Sequence, residues 1–482
     1  MKTQPMSHQL DGQARLDEHP EYYALGAEQG TGKTWMLLND IERQFNAGRI
    51  DAVLVIAPKG VHVNWVRREI PTHMSVPVRA EYWAAGAGAR HMAKITKLLR
   101  PDFDGKLTVL SMNIDALNTK KGAETAKAFL TLHKAMMIID ESQRIKNPTA
   151  GRTKKALVLG KDAVSRRIAS GTMMGNGPQD LFSQYEFLHP GLLGTKSFRA
   201  FVAEFCELLP DHHPIVQQAM AKSRGPAPQI IARDERGRPK YKNMERLTAL
   251  LAPHTYRVLK ADCLDLPEKI YQTVFFELEP SQRKVYKEVD EEMRFTLGSD
   301  VSMFDALSKL TKLRQVTSGF LMVDGAAIRL DDDAARMKAF KDAIEDIEGQ
   351  FIVWAVYREE IQQIAALMDK LGITAATYYG DTTDHEREAA VDGFQKGDIR
   401  CFIGNASAGG TGLTLTAANT VIYYSNDYSL EKRMQSEDRA HRIGTKNNVV
   451  YIDLVATDTI DEKVAAALQS KREVFDAVFE NI

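Results

Sequence analysis

Eight consecutive residues carry the clearest chemical signal in the chain: Ala27-Glu28-Gln29-Gly30-Thr31-Gly32-Lys33-Thr34. Small residues here let backbone N–H groups turn inward around phosphate oxygens. Lys33 offers a cation to the β- and γ-phosphates, and Thr34 offers a hydroxyl to Mg²⁺. Trp35-Met36-Leu37-Leu38 then opens an apolar helix whose N-terminus favours an anion. Residues 22–25 ahead of the loop read as a short strand. A Gly-rich turn alone would say little. Strand, loop and helix in this order point to phosphate binding.

A second signal is Asp140-Glu141-Ser142-Gln143, at the end of the apolar run 135–139. A phosphate loop needs such a partner: Asp140 to hold Mg²⁺ and Glu141 to polarise the attacking water. Residues 166–172 read as a strand ending in Ser170 and Thr172, hydroxyls able to sense loss of a γ-phosphate; a plain turn is the other reading. Gln9, ahead of the loop, can read an adenine edge by donating and accepting through one amide, or it can be a surface residue. Far downstream, Arg439 and Arg442 are three apart, which places them on one helix face. They are surface partners of Glu437 and Asp438, or arginine fingers for a γ-phosphate. Residues 408–415, with Gly412, are Gly-rich enough to admit close backbone approach.

These residues need a scaffold, and the hydrophobic pattern supplies one. Short apolar runs at 22–25, 51–58, 107–110, 135–139 and 166–169 alternate with helical stretches. This predicts a parallel α/β sheet with ligands at the carboxyl ends of its strands. A second series follows at 351–355, 375–379, 400–404, 421–424 and 450–454. It contains no Lys-bearing phosphate loop, so one nucleotide site is expected. Asp265-Leu266-Pro267 reads as a hinge, and 280–295 and 303–317 as helices. Residues 223–242 are basic and Gly/Pro-punctuated, with a hairpin tip at 234–237; they are a nucleic-acid-contacting insert or a solvated loop. The resulting division is a first lobe over 1–190, its insert over 191–262, a linker and helical insert over 263–335, a second lobe over 336–460 and a C-terminal helix over 461–482.

Bulk properties narrow the classes. The chain has 482 residues, 44% of them hydrophobic, and 63 Lys and Arg against 64 Asp and Glu, for a net charge of −1. A globally basic nucleic-acid coat is excluded, so any such site is a local groove. No run approaches the roughly 18 apolar residues of a membrane span, and the first residues lack a signal peptide's apolar core. Cys206, Cys263 and Cys401 are far apart, which argues against a disulfide framework or zinc site and for a reducing compartment such as the cytoplasm.

Taken in order, these stretches resemble the SNF2 branch of the superfamily 2 helicase-like ATPases, over nearly the whole chain. The matching motifs are Pro5 to Gln9, Ala27 to Thr34, Ile56-Ala57-Pro58, Asp140 through Arg144-Ile145-Lys146-Asn147, Ser170-Gly171-Thr172, Gly409 to Leu413, and Gln435 to Gly444. Leu264 to Lys269 matches the region between lobes. Gln143 stands where many relatives have His, Met173 where Pro is usual, Ala27 and Gln29 where Asp and Met are common, and Arg257 where an Arg pair is usual. The compact form is similar to small phage and bacterial members without accessory domains.

The resemblance implies an α/β fold of two RecA-like lobes and ATP with Mg²⁺ in the first. Glu28, Gln29, Gly30, Thr31, Gly32, Lys33 and Thr34 would cradle ATP, with Gln9 on the adenine and Gly412 nearby. Thr34 and Asp140 would hold the metal, and Lys33, Glu141, Arg439 and Arg442 would act in catalysis. Gln143, Ser170, Thr172 and Gln435 would couple hydrolysis to movement. Lys59, Trp65, Asn113 and Asn405 are candidates for nucleic-acid contact, although Trp65 also fits a core position. The implied activity is a DNA-stimulated ATPase that translocates as a monomer on double-stranded DNA or displaces protein from it. A strand-separating or branch-migrating helicase, and a nucleotide-dependent DNA-binding scaffold with weak hydrolysis, are the alternatives.

Overall fold

The structure, a computed structural model, describes residues 1–100, 104–222, 228–235, 237–297, 303–331, 334–380, 382–406 and 413–479. The chain forms two compact units. The first comprises Met1–Leu264 with Lys471–Ile482, and the second Asp265–Ser470.

The first unit holds a seven-stranded sheet of β1 (Tyr22–Ala27), β2 (Ala52–Ala57), β3 (Val78–Tyr82), β4 (Leu107–Asn113), β5 (Ala135–Asp140), β6 (Ser165–Ala169) and β7 (Thr255–Val258). Their order is β3-β4-β2-β5-β6-β1-β7, and every pairing is parallel. Parallel strands joined by helical crossovers are covered on both faces, so they read as unbroken apolar runs. β2 (AVLVIA) and β5 (AMMIID) are buried at every position. This is why the pattern located five of the seven. The two edge strands escaped it. β3 (VRAEY) is half-buried throughout, and β7 (TYRV) is four residues long.

The second unit holds a six-stranded parallel sheet built from β8 (Lys269–Phe276), β11 (Phe351–Trp354), β12 (Ala375–Tyr378), β13 (Cys401–Gly404), β14 (Thr420–Tyr423) and β15 (Val449–Ala456). Their order is β12-β13-β11-β14-β15-β8. β8 lies in the stretch expected to be linker and helical insert. It pairs with β15 along all eight of its residues. Its outer edge and exposed face let Tyr271, Gln272, Thr273 and Phe275 stay exposed, which hides the strand from an apolar-run search. β9 (Phe320–Val323) and β10 (Ala326–Arg329) make an antiparallel hairpin just after the second of the two expected helices. Its turn is Asp324-Gly325, both at positive φ (49° and 82°). Asp-Gly is a strong hairpin signal and was legible in the sequence.

The C-terminal helix runs Ile460–Phe479. Its first turns belong to the second unit, and its residues from Lys471 belong to the first. The hairpin tip at Asp234 and Gly237 is present, closed by the Gly237 N–H on the Asp234 carbonyl (2.9 Å). Arg233 donates to the Gly237 carbonyl, Arg238 pairs with Asp234, and Lys240 lies near Glu207. Arg224 and Arg236 lie outside the described residues.

Candidate active site

The phosphate loop leaves β1 and enters the helix Lys33–Asn46. Gly30 and Gly32 sit at φ 87° and 85°, a region that side chains disfavour. A Cβ on Gly32 would also meet Gln9 Nε2 at 2.0 Å. Thr31 is fully buried, and its hydroxyl donates to the Glu28 carbonyl (2.8 Å). Lys33 is buried, and its ammonium donates to the carbonyls of Ala27 (2.8 Å) and Glu28 (3.1 Å), closing the loop. Gly171 brings the Ser170–Thr172 turn against this loop: a Cβ there would lie 3.1 Å from the Gln29 nitrogen.

Gln9 does not present a free amide edge. Its carbonyl accepts from the Met6 N–H (3.0 Å), capping the first helix, and its Nε2 donates to the Thr31 carbonyl (3.3 Å). Adenine contact through both ends of this amide would require those bonds to open. His8, which the sequence reading passed over, reaches the same Thr31 carbonyl through Nε2 at 2.7 Å.

β5 ends on Asp140, which is buried. Burial, then the neighbouring Glu141 charge, raise its carboxyl to about 6, against the opposing pull of the Trp65 hydrogen bond and Lys33. Glu141 stands at φ 55°, ψ 58°. That left-handed conformation costs a non-glycine residue about 1–3 kcal/mol and is typical of functional positions. Its side chain accepts from Gln143 Nε2 (2.7 Å). The Gln143 carbonyl in turn accepts from the Ser170 hydroxyl (2.6 Å), and Ser170 Oγ accepts from the Thr172 N–H (2.9 Å). An unbroken relay therefore joins Glu141 to Thr172. The strand order puts β5 beside β6, which carries both ends of that relay to one rim of the sheet.

Trp65 corrects one expectation. It is 1% exposed, and its indole N–H donates to Asp140 Oδ2 at 2.9 Å. A side chain so placed orients Asp140 and is not available to nucleic acid. Asn113 uses its amide oxygen to cap the turn at Ala116 (2.9 Å). Lys59 is exposed.

The second unit corrects another. The helix carrying Arg439 spans Leu430–Ala440, so Arg442 lies beyond its end and the two arginines do not share a helix face. Nor is this an exposed ion-paired face. Arg439 is buried, and Glu437 is held by Arg433 (2.9 Å), Lys269 (3.2 Å) and the Tyr271 hydroxyl (2.8 Å). Arg442 Nη1 donates to Thr414 Oγ1 (3.0 Å), and burial lowers its pKa against the pull of Asp438. Gln435 is buried on the same helix. Asn405 donates to the Val356 carbonyl (2.7 Å) and lines a cavity of about 160 Å³ with Trp354, Ser425, Asp427, Lys432 and Arg433. Gly412, with residues 407–411, lies outside the described residues.

Comparison with known proteins decides the family. The SNF2-related domain family matches residues 22–322, and the helicase conserved C-terminal domain family matches 335–444. This chain belongs to the SNF2 family of superfamily 2 helicase-like ATPases. Its two sheets are accordingly the RecA-like lobes of that family. An uncharacterized ATP-dependent helicase of Mycoplasma pneumoniae is 26% identical over 95% of this chain and 40% of its own length. YwqA of Bacillus subtilis, named as a candidate ATP-dependent helicase/translocase, is 27% identical over 95% of this chain and 46% of its own. The chain thus spans less than half the length of these SNF2 relatives. Among solved structures, the SWI2/SNF2 ATPase core of Sulfolobus solfataricus in complex with dsDNA is 23% identical, with a TM-score of 0.41, covering 98% of this chain and 92% of that one. Among the described residues, no helix is long and apolar enough to cross a membrane.

Proposed function

We propose that the chain is an ATP-hydrolysing motor that translocates on double-stranded DNA and remodels what is bound there. The observation that supports this reading most directly is the relay Glu141–Gln143–Ser170–Thr172. It ties the group that polarises water to the turn packed on the phosphate loop, so occupancy of the γ-phosphate position and the stance of the base are one mechanical unit.

The residues fit a divalent cation. Among the described residues, no group of three or more His, Cys, Asp or Glu side chains is arranged to hold a metal. Mg²⁺ suits such a site, because it is commonly held by one carboxylate with waters and substrate phosphates. Asp140, its carboxyl raised by burial and by Glu141, gains from a cation beside it. Thr34 and Asp140 would hold Mg²⁺, which would supply positive charge to offset that developing on the phosphates. Lys33 exchanges its two carbonyl partners for phosphate oxygens. Trp65 holds Asp140 in line. Glu141, oriented by Gln143, orients the attacking water. Arg439 and Arg442 are the proposed arginine fingers, and Gln435 a coupling residue. Lys59 and Asn405 are proposed contacts to the DNA backbone.

The test is the steady-state ATPase rate of the purified chain with no nucleic acid, single-stranded DNA, duplex, forked and junction DNA, and RNA. Duplex stimulation that weakens steeply with added salt supports translocation on a phosphate backbone. Equal rates under every condition would sink the motor reading. Strand separation on the fork would replace it with a helicase.

A further inference from the structure

The chemistry above gives Arg257 no task. Its surroundings do. β7 pairs with β1 up to the mouth of the phosphate loop, with Arg257 opposite Gly26 and Val258 opposite Ala27. The first loop amide, Glu28 N–H, donates to the Val258 carbonyl (3.0 Å), and the Glu28 carboxylate accepts from the Lys260 N–H (2.6 Å). Arg257 Nη1 donates to the Gly26 carbonyl (3.1 Å). The stretch 257–260 is therefore the floor on which the loop is laid.

What holds that floor comes from the far end of the sequence. The Arg257 guanidinium lies 5.0 Å from the ring centroids of both Phe475 and Phe479. Those rings are one helical turn apart, 4.9 Å from each other, and each is 1% exposed. The same helix end is fastened to this lobe at two further points. Thr248 Oγ1 donates to the Val478 carbonyl (3.0 Å), and Lys471 Nζ donates to Asn176 Oδ1 (3.2 Å). Arg257 Nε is buried without a hydrogen-bond partner, so the two aromatic faces are a main part of what compensates this cation. Burial accordingly lowers its pKa, against the pull of Glu28 and Asp476.

We propose that Arg257, clamped by Phe475 and Phe479, is a positioning residue for the nucleotide. Residues 471–479 thereby belong to the ATP site without touching it, because they fix the backbone of Gly26 to Glu28 from which the phosphate loop departs. The proposal rests on the reading that this loop binds ATP. Since the helix begins at Ile460 in the second unit, the clamp also makes nucleotide affinity depend on how that helix end is seated.

The test uses the full chain and a fluorescent ADP analogue. F475L/F479L keeps apolar bulk and removes both aromatic faces; R257K keeps the charge and removes the planar stacking and the bond to Gly26. Each variant is expected to bind about tenfold more weakly, the size of losing one desolvated cation–π contact. KM for ATP should rise in parallel, with kcat at saturation within about twofold of wild type. Amide hydrogen exchange should quicken at Gly26 to Glu28. If F475L/F479L does not fold, R257K carries the same expectation. A folded variant with wild-type affinity and unchanged exchange at these amides would overturn the clamp and leave the ATP reading standing. Wild-type protein that binds no nucleotide would overturn both.

Discussion

The two lobes share an architecture, yet the carboxyl rim of the first treats buried charge unlike the interior of the second; away from that rim the first lobe also matches its buried charges, as Arg167 with Asp40 (2.8 Å). In the first, the carboxyl rim of the sheet keeps like charges together. Asp140 is buried beside Glu141, Glu141 holds a left-handed backbone, and the nearest cation, Lys33, is turned onto backbone carbonyls. In the second, buried charges are matched. Arg433 lies 3.5 Å over the Tyr423 ring and pairs with Asp453 and Glu437. Arg336 is fully enclosed, paired with Asp461 and donating to the carbonyls of Thr317, Tyr424 and Leu454. Charge left frustrated is available for a ligand to compensate. Charge already compensated holds a shape. The first arrangement suits ligand chemistry, and the second suits a rigid scaffold.

The largest effect that could break this contrast is catalytic. Lys33→Ala or Glu141→Gln should lower ATP turnover by about a thousandfold or more, the scale of losing a phosphate-charge or water-orienting group. Thermal melting of Glu141→Gln should stay close to wild type, since the amide keeps the shape of the side chain; near-wild-type turnover of either variant would show the site to be misassigned. The reverse pattern is expected in the second lobe. Arg433→Ala leaves the buried Glu437 and the half-buried Asp453 without their guanidinium and should cost about 3–5 kcal/mol of stability in denaturant melts. Below its melting point, residual turnover should fall less than in the first-lobe variants.

A smaller effect sharpens the role of Trp65. Trp65→Phe keeps the ring packed and removes the bond to Asp140. The Mg²⁺ concentration for half-maximal turnover should rise about tenfold, the low end of what partners behind metal ligands contribute. Unchanged metal dependence would return Trp65 to a purely packing role. The smallest effect is in pH. The Asp140 carboxyl is raised to about 6 in the folded chain, above its ordinary value near 3.9. The native state thus binds the extra proton between these values, and without nucleotide its stability should fall as pH rises from about 4 to about 6. Metal affinity should run the other way and weaken as pH drops, because a protonated Asp140 no longer ligates, while bound metal would hold that carboxyl lower. Asp140→Asn should remove the stability slope.

Much of this was legible in the chain. Buried parallel strands must be apolar on both faces, so β1, β2, β4, β5 and β6, and β11, β13, β14 and β15 of the second sheet, announce themselves. Gly30, Gly32, Lys33, Asp140 and Glu141 are identifiable because phosphate chemistry tolerates few alternatives at those spacings. The edge strands β3, β7 and β8 were hidden because an edge is half wet and needs no apolar run.

The sequence by itself determined the family and the two-lobe order and nominated the residues proposed to meet ATP, since all of these are local patterns in sequence. Only the tertiary structure decided what stands behind them. Trp65 and Asp140 are 75 residues apart yet bonded. Gln143 and Ser170 meet because β5 and β6 are neighbours. Arg257 faces Phe475 and Phe479 because the last helix folds back onto the first unit. Such pairings obey no periodicity. They follow from which strands lie side by side and from the requirement that a buried charge or donor find a partner wherever the fold supplies one.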